Sequence, residues 1–144
     1  MLLGEFEHSV DDKNRLTLPA KFRQALAAGV VLTRGLDACL NVYPGADWHR
    51  LVEGRLSPLD PLSGEARTLQ RFFYGGAVEA QPDRQGRVML PPALIDHARL
   101  GREVVVFGLG DRLEIWDRAA WTKQLEEVKG SAEDVAERLA AKRD

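Results

Sequence analysis

Asp11-Asp12-Lys13-Asn14-Arg15-Leu16-Thr17-Leu18-Pro19-Ala20-Lys21-Phe22 and Asp83-Arg84-Gln85-Gly86-Arg87-Val88-Met89-Leu90-Pro91-Pro92-Ala93-Leu94 follow one pattern. Each reads Asp-x-x-x-Arg, apolar, x, Leu, Pro, x, x, apolar. A single Asp-x-x-x-Arg is close to noise. Here the match runs on, one residue out of step. Val31-Leu32-Thr33-Arg34-Gly35-Leu36 meets Val104-Val105-Val106-Phe107-Gly108-Leu109. Leu40-Asn41-Val42-Tyr43 meets Leu113-Glu114-Ile115-Trp116, and Trp48 meets Trp121. The chain is a tandem duplication.

Both copies predict the same elements. A first strand covers residues 5–9 and again 77–80. Turn formers fill the Asp-x-x-x-Arg segments: Asn14 in one, Pro82 and Gly86 in the other. Short alternating strands follow at 15–18 and 87–90. Pro19 and Pro91-Pro92 then open short helices, since proline suits a first helical turn. These stop near Gly29 and Gly101. Two β-branched or aromatic strands come next, split by glycine-containing turns at Gly35 and at Gly108 to Gly110. A helix ends each unit, with Trp48, Leu51, Val52 and Leu56 on one face, and Trp121, Leu125 and Val128 on the other copy's. Each module is thus β-β-α-β-β plus a helix. At about 45 residues it is marginal alone. Two modules that interleave strands share one core, a pseudo-dimer in one chain.

The expected organisation is a first module over 1–50, a connector with a helix over 51–75, a second module over 76–121 and C-terminal helices over 122–144. The connector is proline-rich at Pro58 and Pro61. Its helix carries Leu62, Leu69, Phe72 and Phe73 on one face and Arg67 and Arg71 on another, and ends at Gly75-Gly76. Phe72, Phe73 and Tyr74 are core or interface candidates. Ser131-Ala132-Glu133-Asp134 reads as a capping box opening a separate last helix that ends in Lys142-Arg143-Asp144. Its apolar stripe is thin, Val135 and Leu139.

The 144 residues are 44% hydrophobic and 29% charged, a globular composition. No apolar run approaches the roughly 20 residues of a bilayer span, and the first residues do not resemble a secretory leader. Cys39 is the single cysteine, which excludes an internal disulfide and reads as a small apolar filler. A cytoplasmic location follows. His8, His49 and His97 are scattered without metal-ligand spacing, and neither a Walker signature nor a complete Gly-x-Gly-x-x-Gly occurs. No metal, cofactor or enzymatic activity is expected.

The net charge of −2 speaks against a broadly basic nucleic-acid binder. Residues 1–50 hold six Lys/Arg and six Asp/Glu. Local concentration matters more. Lys13, Arg15, Lys21 and Arg23 fall around the first turn, and Arg84 and Arg87 occupy the second. Arginine there can fork to guanine edges or phosphates, with lysine acting more as a point charge. Asp11 or Asp83 can hold its turn through backbone N–H groups or pair with its arginine. A salt-bridged turn of purely structural use satisfies the same pattern.

Leu3-Gly4-Glu5, the stretch Val10 to Arg23, Leu40-Asn41-Val42-Tyr43-Pro44, the segment Arg67 to Gly76 and Leu113-Glu114-Ile115-Trp116 together resemble the MraZ family. These are bacterial transcriptional regulators related to AbrB-type swapped-hairpin proteins. The likeness runs from about residue 3 to residue 128. It implies a mainly β fold with α: two tandem AbrB-like modules forming a swapped-hairpin-type barrel, with flanking helices. It also implies a ring-shaped homo-oligomer, associated with the nucleoid, that binds repeated double-stranded DNA sites upstream of a cell-division and cell-wall gene cluster. DNA contact then falls to Asp11, Lys13 and Arg15, and to Asp83, Arg84 and Arg87. Asn14 departs from the glycine usual before the first arginine. It tolerates left-handed backbone, so the turn is expected to survive. Gln85 replaces the lysine of the first copy, so the loops are expected to contribute unequally. The alternatives are an assembly module with the same rings and no DNA, or a small barrel enzyme; an AbrB-like antitoxin is disfavoured by the second module.

Overall fold

Strands of one module lie beside strands of the other throughout the computed structural model, which describes residues 1–143. The first module supplies β1 (Leu2–Ser9), β2 (Arg15–Thr17), β3 (Val30–Arg34) and β4 (Leu40–Pro44). The second supplies β5 (Val78–Ala80), β6 (Arg87–Met89), β7 (Glu103–Gly110) and β8 (Leu113–Asp117). A six-stranded antiparallel sheet has the order β1-β7-β8-β4-β3-β5, and β2 and β6 pair as a separate ribbon. The two modules have exchanged their first strands: β1 lies on β7, and β5 on β3. Exchanging modules leaves the strand order unchanged. At the centre, counterpart faces counterpart, Asn41 against Glu114 in the sheet and Leu16 against Val88 in the ribbon.

This arrangement follows from burial. A lone β-hairpin has one face to cover and too little chain to cover it. Here Leu32, Leu40, Val42, Val104, Val106, Leu113 and Ile115 form the inner face of the sheet. Leu16, Leu18, Val88 and Leu90 close over them from the ribbon, and all are buried in one cluster. The mainly β class with interleaved modules is therefore what the chain adopts. The order is linear, from edge strand β1 to edge strand β5, so the barrel stays open and the ribbon serves as its lid.

Helices cover the outer face. Alternation along β7 sends Val105 and Phe107 outward, where they meet Trp116, Cys39 and Trp121. Trp121 belongs to α5 (Arg118–Arg143), and its ring lies 4.3 Å from Phe107 and 5.3 Å from Trp116. The other half is covered by the chain after β4. There α2 spans Gly45–Leu51 and a π turn over Val52–Leu56 follows. Earlier in the chain, Pro19 leads into a 3-10 turn (Ala20–Phe22) and the single-turn α1 (Arg23–Leu26), whose Phe22 and Leu26 join the inner cluster. Of the expected Trp48, Leu51, Val52 and Leu56 face, only Leu56 is fully buried. The connector helix α3 (Gly64–Gly76) is capped by Ser63 and docks through its end. Thr33 Oγ1 donates to the Phe73 carbonyl at 2.9 Å and Arg34 Nη1 to that of Phe72 at 3.0 Å. The expected apolar face is only partly used, since Leu62 precedes α3 and is 87% exposed, and Leu69 within it is 40% exposed. The last short helix, α4 (Pro92–Ala98), ends at Arg99 in left-handed backbone.

Two expectations change. β1 starts at Leu2 rather than Glu5, because it pairs with β7 along its whole length from Leu2 against Gly110. The two C-terminal helices are one. Ser131 does not cap a new helix; its hydroxyl donates back to the Glu127 carbonyl at 2.6 Å. That back-bond lets serine sit inside a helix, and the strong helix formers around Gly130 carry the chain through. Lys142 lies in α5, and Asp144 of the expected terminus lies outside the described residues. Among the described residues, no helix is long and apolar enough to cross a membrane.

Cys39 lies in the outer cluster, 1% exposed. Burial above all, with the nearby Glu114 and Asp37 carboxylates, pushes its thiol up to about 12. The thiolate is the reactive form. Folded protein at pH 8 is therefore expected to resist a disulfide reagent under conditions in which urea-unfolded protein reacts fully. Rapid labelling of the native state would contradict this burial.

Candidate nucleic-acid interface

The two Asp-x-x-x-Arg segments adopt one conformation. In the first, Asp11 Oδ1 accepts from the amides of Lys13 and Arg15 at 2.9 and 2.8 Å, and Oδ2 accepts from Arg15 Nε at 2.8 Å. In the second, Asp83 Oδ1 accepts from Gln85 and Arg87 at 2.9 Å each, and Oδ2 accepts from Arg87 Nε at 2.7 Å. One carboxylate thus ties the turn and aims the arginine. The spacing is explained by this geometry: only an acceptor at the first position reaches both amides and the Nε of the fifth. The fourth position is left-handed in both loops, φ 58° at Asn14 and 77° at Gly86. Asparagine keeps the turn, as expected.

Using Nε for the aspartate leaves the outer end of each guanidinium. Among the described residues, Nη1 and Nη2 of Arg15 and Arg87 have no protein hydrogen-bond partner. Both side chains remain 29% exposed.

The ribbon brings the two arginines together. In its register Arg15 faces Met89, Leu16 faces Val88 and Thr17 faces Arg87. Leu16 and Val88 point inward, so Arg15, Thr17, Arg87 and Met89 share the outer face. The arginines are diagonal neighbours, their Cα atoms about 7–8 Å apart. Bonds across the modules lock the loops to the ribbon: Leu18 N donates to Gly86 O at 2.8 Å, and Leu90 N to Asn14 O at 2.7 Å. Lys13 and Arg84 lie exposed on the loops, at opposite ends of the ribbon. Asp11 and Arg15, and Asp83 and Arg87, thus border the outer face of the ribbon, with Lys13 and Arg84 on the loops at its two ends.

Sequence reasoning left Thr17 and Met89 out of the site, although period-2 alternation from Arg15 and Arg87 points to them. Arg23 was seen only as part of a basic run. It packs over the second loop, donating from Nε to the Leu18 carbonyl at 3.0 Å and crowding Gly86, where an added Cβ would lie 2.7 Å from its side chain. The matching residue of the second module is Ile95, beside Asp12 and Asn14 in a shallow cleft with Arg102. The loops differ in what supports them.

The Arg15 amide foremost, with its side chain and the Lys13 amide, holds the Asp11 carboxyl below the usual carboxylate value against some loss of hydration. Asp83 is lowered likewise, first by the Arg87 amide and then by the Arg87 side chain. A carboxylate lowered on folding stabilises the loop above its unfolded value, about 3.9. That contribution is lost as pH falls through the lower folded value. The amide NMR signals of Lys13, Arg15, Gln85 and Arg87 are thus expected to stay at their neutral-pH positions down to pH 4 and to move together only below it. Movement between pH 6 and 4 would refute the tie.

The remaining titratable groups do not converge in this way. His97 Nε2 is 2.9 Å from the Gly35 carbonyl oxygen and packs on Phe72, and partial burial, with Arg23 nearby, lowers the pKa of His8. An open groove of about 560 Å³ is lined by Trp48, His49, Glu79 and Gln81, and its lining holds no Ser, Thr, Cys or Lys. Among the described residues, no group of three or more His, Cys, Asp and Glu is placed to hold a metal ion.

Two β modules that exchange strands and set paired Asp-x-x-x-Arg loops on one ribbon define a tandem, pseudo-dimeric swapped-strand protein. The chain belongs to the MraZ family. The family model of the MraZ protein, whose description adds an antitoxin likeness, matches twice, over residues 1–72 and 73–143. Curated relatives are similar over nearly the whole length. The "Transcriptional regulator MraZ" of Heliobacterium modesticaldum is 46% identical over 96% of both chains, and that of Pediococcus pentosaceus is equally similar over the same share. The protein of the same name from Moorella thermoacetica is 45% identical, again over 96% of each.

Proposed function

We propose that this chain is a transcriptional regulator that binds double-stranded DNA sequence-specifically through the outer face of the β2–β6 ribbon. One observation carries the reading: Arg15 and Arg87 stand side by side on an exposed, rigid surface with their outer nitrogens free. An antiparallel two-stranded ribbon fits the major groove, and a fixed guanidinium forks onto the two acceptors of guanine. Asp11 and Asp83 orient the forks. Lys13 and Arg84 are placed for phosphates, supplying affinity without sequence information. The names of the relatives support the regulatory role. Nothing in this reading calls for a catalytic step.

In this reading, residues 1–50 and 76–121 are the two halves of the DNA-reading unit, joined by the 51–75 connector and followed by the 122–144 tail. One ribbon makes few contacts. A homo-oligomeric ring presenting several ribbons to repeated sites gains affinity by multivalency. The targets are repeats in the protein's own upstream region, ahead of the cell-division and cell-wall gene cluster, and the site of action is the nucleoid in the cytoplasm.

The test is fluorescence anisotropy of a labelled duplex from that upstream region against a scrambled duplex, at several salt concentrations. Selective binding is expected, with log K falling by about 0.9 per phosphate contact for each unit of log salt. Correctly assembled protein that does not distinguish the two duplexes would overturn the proposal and leave the assembly-module reading in its place.

A further inference from the structure

The four side chains on the outer face of the ribbon are not equivalent. The pseudo-twofold axis through Leu16 and Val88 carries Arg15 onto Arg87, but it carries Thr17 onto Met89. The first pair is matched in type, geometry and exposure. The second is a small hydroxyl against a long thioether. Met89 is 61% exposed, although its neighbours Val88 and Leu90 are 1% and 0% exposed. An apolar side chain held outward on a strand between two arginines has nothing to cover it within the chain.

We infer that Met89 is a specificity-determining residue, which packs on the C5-methyl group of a thymine beside the guanine read by Arg15. The inference rests on the reading of the ribbon as the DNA-binding surface. Cross-strand neighbours stand about 5 Å apart, and base pairs rise about 3.4 Å, so Met89 lies one or two steps from the base pair under Arg15. The thymine methyl is the apolar landmark of the major groove, and apolar side chains recognise it. The thioether chain is flexible and polarisable, which suits it to such a contact. On the other diagonal, Thr17 beside Arg87 is shorter and offers a hydroxyl. The two halves of the ribbon therefore ask for different bases. A ribbon with a twofold register reads a site that lacks that symmetry.

The experiment replaces thymines of the upstream duplex, one at a time, by deoxyuridine, which removes only the methyl group. Wild-type protein is expected to lose about fourfold in affinity at one or two positions next to a guanine, one buried methyl being worth about 0.8 kcal/mol and a decade about 1.4 kcal/mol. Met89→Ser is expected to bind the unmodified duplex more weakly by at least that factor and to show no further loss with deoxyuridine at those positions. The residue is exposed, so the variant is expected to fold and assemble as wild type does. Selective binding with no deoxyuridine effect at any position would overturn the role of Met89 and leave the ribbon reading standing. A deoxyuridine effect that persists undiminished in Met89→Ser would do the same. Absence of selective binding by wild type would overturn both.

Discussion

Alanine in place of both Arg15 and Arg87 is expected to leave a folded protein whose selective DNA binding falls by a factor between roughly 30 and 10⁴. Each guanidinium forked onto a guanine discriminates by about 1–3 kcal/mol, so two together give about 2–6 kcal/mol, at 1.4 kcal/mol per decade. The fold has little at stake in these side chains. Each makes one ion pair at the surface, with Asp11 or Asp83, and solvent-exposed pairs contribute little to stability. The buried work of the ribbon is done by Leu16 and Val88, which the substitutions do not touch. Arg→Lys at both positions is not expected to rescue selectivity, because lysine is a point charge without the fork. It should retain more of the salt-dependent, sequence-independent binding than alanine does. Anisotropy with specific and scrambled duplexes, beside a circular dichroism melt, separates the effects. A double alanine variant that melts like wild type and still selects its duplex would remove the arginines from the interface.

The second large effect is on folding. Gly108→Ala is expected to destabilise the protein by about 3 kcal/mol, at the upper end for overpacking. A Cβ at Gly108 would lie 2.2 Å from the carbonyl carbon of Leu2, 2.3 Å from its oxygen and 2.5 Å from the nitrogen of Leu3. All three are backbone atoms of β1, so no side chain can swing aside. The exchanged strand itself must move, along a register that pairs it with β7 from end to end. The urea midpoint should fall by about 1.5 M, for a slope near 2 kcal/mol per molar. Amide protection should be lost first along Leu2–Ser9. Gly45→Ala is the control, since a Cβ there meets nothing within 4 Å and the position is helical, where alanine is favoured by up to about 1 kcal/mol. A Gly108→Ala variant as stable as wild type would mean that β1 is not seated on β7 as described.

Much of the fold was legible because it rests on local chemistry repeated twice. The Asp-x-x-x-Arg spacing encodes a turn that closes within five residues, and the structure realises it with nearly the same hydrogen-bond lengths in both copies. Alternation placed Leu16 and Val88 inward, and proline and glycine bounded the short helices. The Ser131 capping box misled because the same hydroxyl can cap a helix or bond back inside one, and only the continuity of α5 decides between them. The six candidate residues were singled out from pattern, charge and the family resemblance. Met89 and Thr17 were not singled out because neither carries charge, and their place beside the arginines comes from the cross-strand register of the ribbon.

By itself the sequence determined the duplication, the alternating strands, the two tied arginines and the need for a shared core, because each depends on contacts within a few residues or on composition. Tertiary structure alone decided that β1 and β5 cross to the other module, that the sheet stays open under a ribbon lid, and that Arg15 and Arg87 become diagonal neighbours. The reason is physical. A strand carries its faces in its own sequence, but its partner is chosen by where the most apolar surface can be covered at once, and that sum runs over the whole chain.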